Sequence, residues 1–236
     1  MQRKENIIRW IGIAVCEAFV TFTVVLMAVQ GQYGRLPLAV GTAVLVLAPL
    51  AVERLLRCRM ALPLFLFALF YAVGPMLGYC YHFYYTISWW DKLLHVCGGV
   101  AFALFGLFLF RRFADGTGAK RWMAAVFALC FSMAVAVAWE FFEYGADTLF
   151  GMDMQDDTVI TEMTSYLLDS TDGEAGTIRD ITAVTVNGKP LPVKGYIDIG
   201  LNDTMWDMLL ETAGTLVVVA WYLWDRDRHT PFCDAE

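Results

Sequence analysis

Long apolar stretches alternate with short polar ones along almost the whole chain. Several of these stretches reach or exceed the ~18 apolar residues that mark a membrane-spanning helix. The pattern predicts an all-α integral membrane protein with six transmembrane helices in a single domain, residues 1–236. The six predicted spans are 7–29, 37–52, 61–81, 91–110, 122–144 and 203–224. Pro49 and Pro75 fall inside predicted spans, where proline removes a helical hydrogen bond and favours a kink.

One polar segment, residues 145–202, is too long to be a simple connection and predicts a water-exposed insertion between spans five and six. Within it, an alternating run at 181–186 is followed by Asn187-Gly188 and a second short run. Asn-Gly between two such runs is a strong signal for a β-hairpin, and Pro190 and Pro192 restrict the second strand to a sheet edge. The insertion is therefore expected to be a small ordered cap.

Composition supports a membrane protein and excludes two other classes. Hydrophobic residues make up 58% of the chain, above the ~45–50% of soluble domains. The formal charge of −7 argues against a nucleic-acid partner, because phosphate backbones attract basic surfaces. The six cysteines are scattered without a Cys-x-x-Cys spacing, which favours ordinary small apolar residues over a disulfide or zinc framework.

The positive-inside rule predicts the orientation. With the N-terminus in the cytoplasm, 12 of the 17 basic residues fall on inner segments; the other five are Arg35, Lys92, Arg179, Lys189 and Lys194. Both termini are then cytoplasmic, and the insertion 145–202 is extracytoplasmic, as is the start of span four.

Ionisable residues at the predicted outer ends of three spans are the main functional signal. Asp91 and His95 share one face of span four, because they are four residues apart. Glu140 and Glu143 share a face near the end of span five. The start of span six carries a third set on one face: Asp203, Asp207, Glu211 and Gly214.

Structural roles are open for some of these residues. Asp91 and Asp203 could be N-caps, His95 could be a packed histidine, and Lys92 could extend to the lipid headgroups. A structural role does not explain Glu140 and Glu143, because the end of a helix favours cations. If the three helices are neighbours, the clustered carboxylates either hold protons or surround a cation.

Three motifs together resemble the YjdF-like family of bacterial multi-spanning membrane proteins, with a looser similarity to VanZ-like proteins. They are Asp-Lys-x-x-His at 91–95, Trp-Glu-x-x-Glu at 139–143 and Asp-x-x-x-Asp at 203–207, and the segment 151–156 also resembles the family. The resemblance covers residues 89–224 and implies a bacterial cytoplasmic membrane protein. Members usually carry Asn one turn after the second Asp, where this chain has Glu211. The family implies a site and no particular reaction.

The leading hypothesis is a divalent-metal-dependent hydrolase or transferase that acts on a lipid or lipid-linked phosphate. Oxygen ligands with one imidazole suit Mg²⁺, Mn²⁺ or Zn²⁺. Glu143 is the predicted general base. The predicted metal ligands are Asp91, His95, Glu140, Asp203, Asp207 and Glu211. The alternatives are a cation or proton transporter and a non-catalytic membrane module that binds an envelope component.

Overall fold

The fold is mostly helical. The computed structural model describes residues 2–114, 120–169, 171, 173–225 and 233–235. The helices, in chain order, are α1 Gln2–Val29, α2 Leu36–Val46, α3 Ala48–Leu56, α4 Leu62–Cys80, the short α5 Phe83–Thr86, α6 Trp90–Ala114, α7 Arg121–Phe150 and α8 Leu201–Trp224. Single 3₁₀ turns lie at Tyr33–Arg35 and Tyr166–Leu168.

Proline marks where several of these helices begin. Each of the helices α2, α3 and α4 has a proline at one of its first two positions: Pro37, Pro49 and Pro63, respectively. A backbone N–H there has no intrahelical partner to lose. The predicted second span therefore divides at Leu47 into two helices, as the kink prediction for Pro49 implied. Pro75 lies inside α4, which continues past it to Cys80.

Within the described residues, five segments are long and apolar enough to cross a membrane. They are Arg3–Val29, Tyr33–Leu56, Leu62–Cys80, Trp90–Ala114 and Arg121–Phe150. Helix α8 is not among them, because the carboxylates of Asp203, Asp207 and Glu211 lower the hydropathy of its first half. The count of six spans therefore stays a prediction.

The chain divides by internal packing into two compact units, Met1–Ala136 with Leu209–Glu236, and Val137–Met208. We call them the helical unit and the loop unit. The boundary passes through α7 and α8, each of which is one continuous helix.

The helical unit contains two apolar cores. One is formed by α1, α2 and α4, and centres on fully buried Phe65 and Met76. The other is formed where α6, α7 and α8 meet, around Ala103, Leu107 and Ala128. Small residues dominate the second core, which lets the three helices approach closely.

The helical unit also contains one strand pair. Strand β1, Cys58–Met60, pairs antiparallel with β8, Cys233–Ala235.

The loop unit contains three short antiparallel strand pairs. They are β2 Thr158–Ile160 with β7 Tyr196–Asp198, β3 Met163–Ser165 with β4 Gly176–Ile178, and β5 Thr185–Val186 with β6 Lys189–Pro190. Asn187 and Gly188 join β5 to β6, and both have positive φ, 52° and 78°. Two consecutive left-handed residues are what a tight two-residue hairpin turn requires.

Candidate functional site: an imidazole between two carboxylates

The first turns of α6 hold Asp91 and His95 against each other. Asp91 Oδ1 lies 3.6 Å from His95 Nε2, as the four-residue spacing predicts. The helix starts at Trp90, whose indole N–H donates to the carbonyl of Gly74 at 3.1 Å. Asp91 is thus inside the first turn and is not the N-cap, which removes one structural explanation for it. Lys92 is exposed.

Glu211 reaches the same imidazole from α8. Its Oε2 lies 3.9 Å from His95 Nδ1, so each ring nitrogen faces a different carboxylate. We call Asp91, His95 and Glu211 the His95 cluster. Both separations exceed hydrogen-bond length, so the contacts are electrostatic.

Close helix packing brings Glu211 to His95. A Cβ added at Gly99 would lie 2.0 Å from the Glu211 carbonyl oxygen, and one added at Gly214 would lie 2.3 Å from that of Val96. The backbones of α6 and α8 therefore touch, which only small residues at a helix crossing allow. A side chain larger than hydrogen at Gly99 would separate the helices and withdraw Glu211.

Two hydroxyl groups that the sequence analysis missed complete the surroundings of Glu211. Ser132 of α7 donates to Glu211 Oε1 at 3.5 Å, and Thr215 of α8 donates to Ser132 at 2.8 Å. Thr215 Oγ1 also lies 3.2 Å from the carbonyl oxygen of Gly99. Both hydroxyl residues are fully buried. Their signal in the sequence is weak: Thr215 lies four residues after Glu211, and Ser132 interrupts an apolar run.

The His95 cluster places two carboxyl groups beside one imidazole where little water reaches them. His95 and Glu211 are 7% and 4% exposed, and the Asp91 side chain is 18% exposed. With both carboxylates ionised, a neutral imidazole leaves a net charge of −2 and a protonated one leaves −1. Ionised groups are stable away from water only when they are paired. A divalent cation would balance the neutral-imidazole state.

The spacing of Asp91 and His95 is compatible with two ligands of one metal ion. Two ligands ~2.1 Å from one ion at a tetrahedral angle are about 3.4 Å apart, close to the 3.6 Å between Asp91 Oδ1 and His95 Nε2. Asp91 Oδ2 is buried and has no hydrogen-bond partner within the described part of the chain. On the other side of the ring, Glu211 occupies the position of the carboxylate that commonly orients a metal-bound histidine.

Glu140 and Glu143 belong to the loop unit and are both buried, at 6% and 5% exposure. Glu143 Oε1 accepts a hydrogen bond from the Trp139 indole at 2.8 Å. The prediction that the helix ends near Tyr144 is wrong, because α7 continues to Phe150. The two glutamates therefore lie roughly two and three turns before the helix end. The dipole argument applies only to the last turn and does not hold for them.

Asp147 anchors the beginning of the loop. Its two carboxylate oxygens accept hydrogen bonds from the backbone N–H groups of Met154 and Gln155, at 2.6 and 2.9 Å. Gly151, with φ of 61°, ends α7 and lets the chain turn back towards Asp147. This acid near the end of α7 therefore has a structural role.

Asp203 has a similar role at the start of α8. The helix begins at Leu201, so Asp203 lies in its first turn and is not the N-cap. Its Oδ2 accepts a hydrogen bond from the backbone N–H of Asp156 at 3.0 Å. Asp207, one turn later, is 1% exposed. Residues 154–156 are thus held by both α7 and α8 within the loop unit.

A negative potential surrounds this loop segment. Partial burial, and then the negative charges of Asp157 and Asp147, raise the pKa of the Asp153 carboxyl above its ordinary value of 3.8. Asp153 is nevertheless at the surface, so solvent screens much of this repulsion.

The structure thus brings three of the predicted ligands together in the helical unit: Asp91, His95 and Glu211. The other predicted residues, Glu140, Glu143, Asp203 and Asp207, lie in the loop unit. All four are buried, and their predicted roles as ligands or base stay predictions.

Comparison with known proteins gives a family and no activity. No curated protein and no solved structure matches the chain. A family model described as "Predicted membrane protein (DUF2238)" matches residues 11–228, nearly the full length, including all the residues of the His95 cluster. The chain is a membrane protein with several apolar helices, and it belongs to the DUF2238 family.

Proposed function

We propose that the protein is a divalent-metal-dependent membrane hydrolase or transferase whose substrate is a lipid phosphate or lipid-linked phosphate. The observation that carries the proposal is the His95 cluster, an imidazole with a carboxylate at each ring nitrogen. In this proposal Asp91 and His95 Nε2 bind the ion, and Glu211 orients the ring through Nδ1. Glu140, Asp203 and Asp207 are proposed as further oxygen ligands.

The chemistry follows from the residues available. A divalent ion at this site would polarise a phosphoryl oxygen and lower the pKa of a bound water. In the proposed hydrolysis, Glu143 accepts a proton from the water that attacks phosphorus, the bond between phosphorus and the lipid oxygen breaks, and Glu143 returns the proton to that oxygen. The Trp139 indole orients the Glu143 carboxylate. Burial of His95 and Glu211 excludes bulk water, which strengthens each electrostatic contact.

Depth in the membrane favours a lipid headgroup as the substrate. The start of α6 follows an aromatic stretch in which Tyr85 and Trp89 are 66% and 58% exposed. Exposed Tyr and Trp at helix ends are typical of the interface between hydrocarbon and water. Asp91 and His95 follow directly in the sequence, and in this proposal they lie at the level of the lipid phosphates.

The proposal includes a location and an orientation. We place the protein in a bacterial cytoplasmic membrane with α8 as a sixth span, both termini in the cytoplasm and residues 145–202 outside. The excess of basic residues on the inner segments supports this orientation, and the three acidic motifs support a relationship to YjdF-like proteins.

Metal content tests the site directly. Purified wild-type protein should retain about one divalent ion per chain by inductively coupled plasma mass spectrometry. Asp91→Asn and His95→Gln should lose it, and Glu211→Gln should weaken binding by about 10–100-fold, as removal of an orienting carboxylate does. Glu162→Gln, in an exposed ion pair with Arg179, is the control. Wild type with no more metal than the Asp91→Asn, His95→Gln double variant would contradict the proposal.

Turnover tests the reaction. Release of phosphate from phosphatidic acid and from a polyprenyl diphosphate in mixed micelles should depend on the added metal. Glu143→Gln should lower the rate by about 100-fold or more while the protein still binds metal. If the metal binds and no lipid phosphate is turned over, the site is real and its assignment to an enzyme is wrong.

Transport of a cation or proton is the second candidate. The observation that favours it is the buried chain from Glu211 to Ser132 and Thr215, because linked carboxylates and hydroxyls are the groups that carry protons inside membranes. Proteoliposomes should then show ion-driven or pH-driven flux that Glu211→Gln abolishes. Absence of flux under both gradients counts against it.

A further inference from the structure

Basic residues cluster at the other predicted end of the helical unit, where α3 meets β1. The segment from Glu53 to Met60 contains three arginines, Arg54, Arg57 and Arg59, and α1 begins with Arg3, Lys4 and Arg9. The proposed enzymatic site uses none of them. The contacts of Arg9 and Arg59 differ from those of Arg54 and Arg57.

Arg9 and Arg59 have partners within the protein. Arg9 is 5% exposed, forms an ion pair with Glu53, donates to the carbonyl of Met60, and lies 4.7 Å from the ring centre of Phe65. Arg59 donates to the side chain of Asn6. These two arginines tie α1 to the turn after α3.

Arg54 and Arg57 differ from them. Both side chains are exposed, and neither forms an ion pair with any residue that the structure describes. Arg57 ends α3 in the left-handed conformation, with φ of 48°. Two positive charges without an acidic partner thus lie at the end of a candidate membrane span, Tyr33–Leu56.

An open apolar groove lies beside Arg54. It has a volume of about 530 Å³ and is lined by Ala48, Ala51, Val52, Arg54 and Leu55. The two alanines are small and exposed, and Leu55 is 83% exposed. Helix α3 forms the last part of the candidate span Tyr33–Leu56.

We propose that this groove and the two arginines form a binding site for an anionic phospholipid. One acyl chain lies along Ala48, Ala51 and Val52, and the phosphate accepts hydrogen bonds from the guanidinium groups of Arg54 and Arg57. Charge complementarity selects the lipid, because two unpaired cations attract a net negative headgroup and gain less from a zwitterionic one. The site is independent of the His95 cluster and does not require the proposed enzymatic function.

Lipid selection in nanodiscs tests this proposal. The full-length protein is reconstituted in equal parts of phosphatidylglycerol and phosphatidylcholine, re-extracted in mild detergent, and its retained lipids are measured by mass spectrometry. Wild type should be enriched in phosphatidylglycerol. Arg54→Gln with Arg57→Gln should reduce the enrichment by about fivefold for each arginine and about 25-fold for both. Raising the salt concentration should reduce it as well.

Two further variants separate the site from general charge effects. Arg112→Gln with Lys120→Gln changes the net charge equally at two other exposed positions and should leave the enrichment unchanged. Ala51→Trp fills the groove without changing charge and should lower lipid retention. Equal loss in both double variants, or unchanged retention in Ala51→Trp, would overturn the proposal. So would a dimer that Ala51→Trp dissociates while the lipid content stays the same.

Discussion

His95 acquires its chemistry from its position between two carboxylates on different helices. Asp91 is a local neighbour, four residues away on α6, whereas Glu211 comes from a distant part of the chain. Neither acid alone distinguishes a site from an ordinary ion pair. Together they place two acidic groups beside one buried imidazole, and this combination makes the cluster a candidate cation site.

Individual acids in this chain have different roles. Asp147 and Asp203 use their oxygens to bind backbone N–H groups of residues 154–156. Such charge-assisted hydrogen bonds stabilise a loop at a helix end. The same residue type therefore serves loop structure in one place and a candidate cation site in another, and only the contacts distinguish the two.

Asp153 should make the loop unit sensitive to pH. Because its pKa is raised, the folded state favours the protonated form. Its contribution to stability is present below its ordinary pKa of 3.8 and is lost as pH rises through the raised value. Asp153→Asn should remove this loss and stabilise the protein at neutral pH by about 0.5 kcal/mol or less, as befits an exposed side chain.

The effect is measured by thermal unfolding of Asp153→Asn and of wild type at several pH values from acidic to neutral. The difference in Tm should be smallest in acid and should grow towards neutral pH. Glu174→Gln, which removes another exposed acid of the loop unit, is the matched control. A difference that shrinks as pH rises would have the wrong sign and would refute the assignment.

At the scale of elements, the crossing of α6 and α8 positions the His95 cluster. Gly99 and Gly214 allow the two backbones to touch, and this contact brings Glu211 within 3.9 Å of His95. Thr215 and Ser132 then connect α8 to α7 through buried hydroxyls. The two helices that carry the cluster therefore touch at glycines, and α7 joins them through Ser132.

The loss of stability on substitution by alanine should depend on what each glycine faces. Gly99→Ala places a methyl group against backbone atoms of α8 and should destabilise the protein by about 1–3 kcal/mol. Gly98→Ala should cost less, because its Cβ would meet the hydroxyl end of Tyr71 at 2.7 Å, and that side chain can move. Gly41→Ala, with nothing within 4 Å of its Cβ, should be neutral or slightly stabilising.

The melting temperature in detergent should be lowest for Gly99→Ala, intermediate for Gly98→Ala and highest for Gly41→Ala. Metal content should fall in Gly99→Ala, because separating α6 from α8 withdraws Glu211 from His95. Equal melting temperatures for the Gly99 and Gly41 variants would show that α6 and α8 do not touch at Gly99.

At the scale of the whole molecule, the arginine distribution and the apolar helices both indicate a membrane protein. Whether α8 crosses the membrane is a question for experiment. Its first half carries three carboxylates and its second half is apolar, from Leu216 to Trp224. If it spans the bilayer, both chain ends lie on one side.

Reporter fusions test this topology. Green fluorescent protein should fluoresce when fused to either terminus, and alkaline phosphatase should be active when inserted at Gly173, an exposed loop position with φ of 86°. Active phosphatase at the C-terminus would mean that α8 does not cross. That result would leave the His95 cluster intact but would place the chain end outside.

Periodicity alone was enough to predict the local features. Asp91 and His95 share a face because a helix repeats every 3.6 residues, and the apolar runs are long enough to identify most of the helices. The end of α7 was predicted wrongly near Tyr144, just before Gly145, because one glycine costs a helix only about 1 kcal/mol. The neighbouring Ala146 is buried, and this packing carries the helix on to Phe150.

The long-range contacts required the three-dimensional structure. No spacing rule connects Glu211 to His95, Ser132 to Thr215, or Asp147 to the amides of Met154 and Gln155, because each pair meets only after the chain has folded back on itself. Side-chain chemistry and helical period are local properties, and a sequence displays them directly. Which helices touch depends on the packing of all of them at once, and that packing turns isolated acids near one histidine into a candidate cation site.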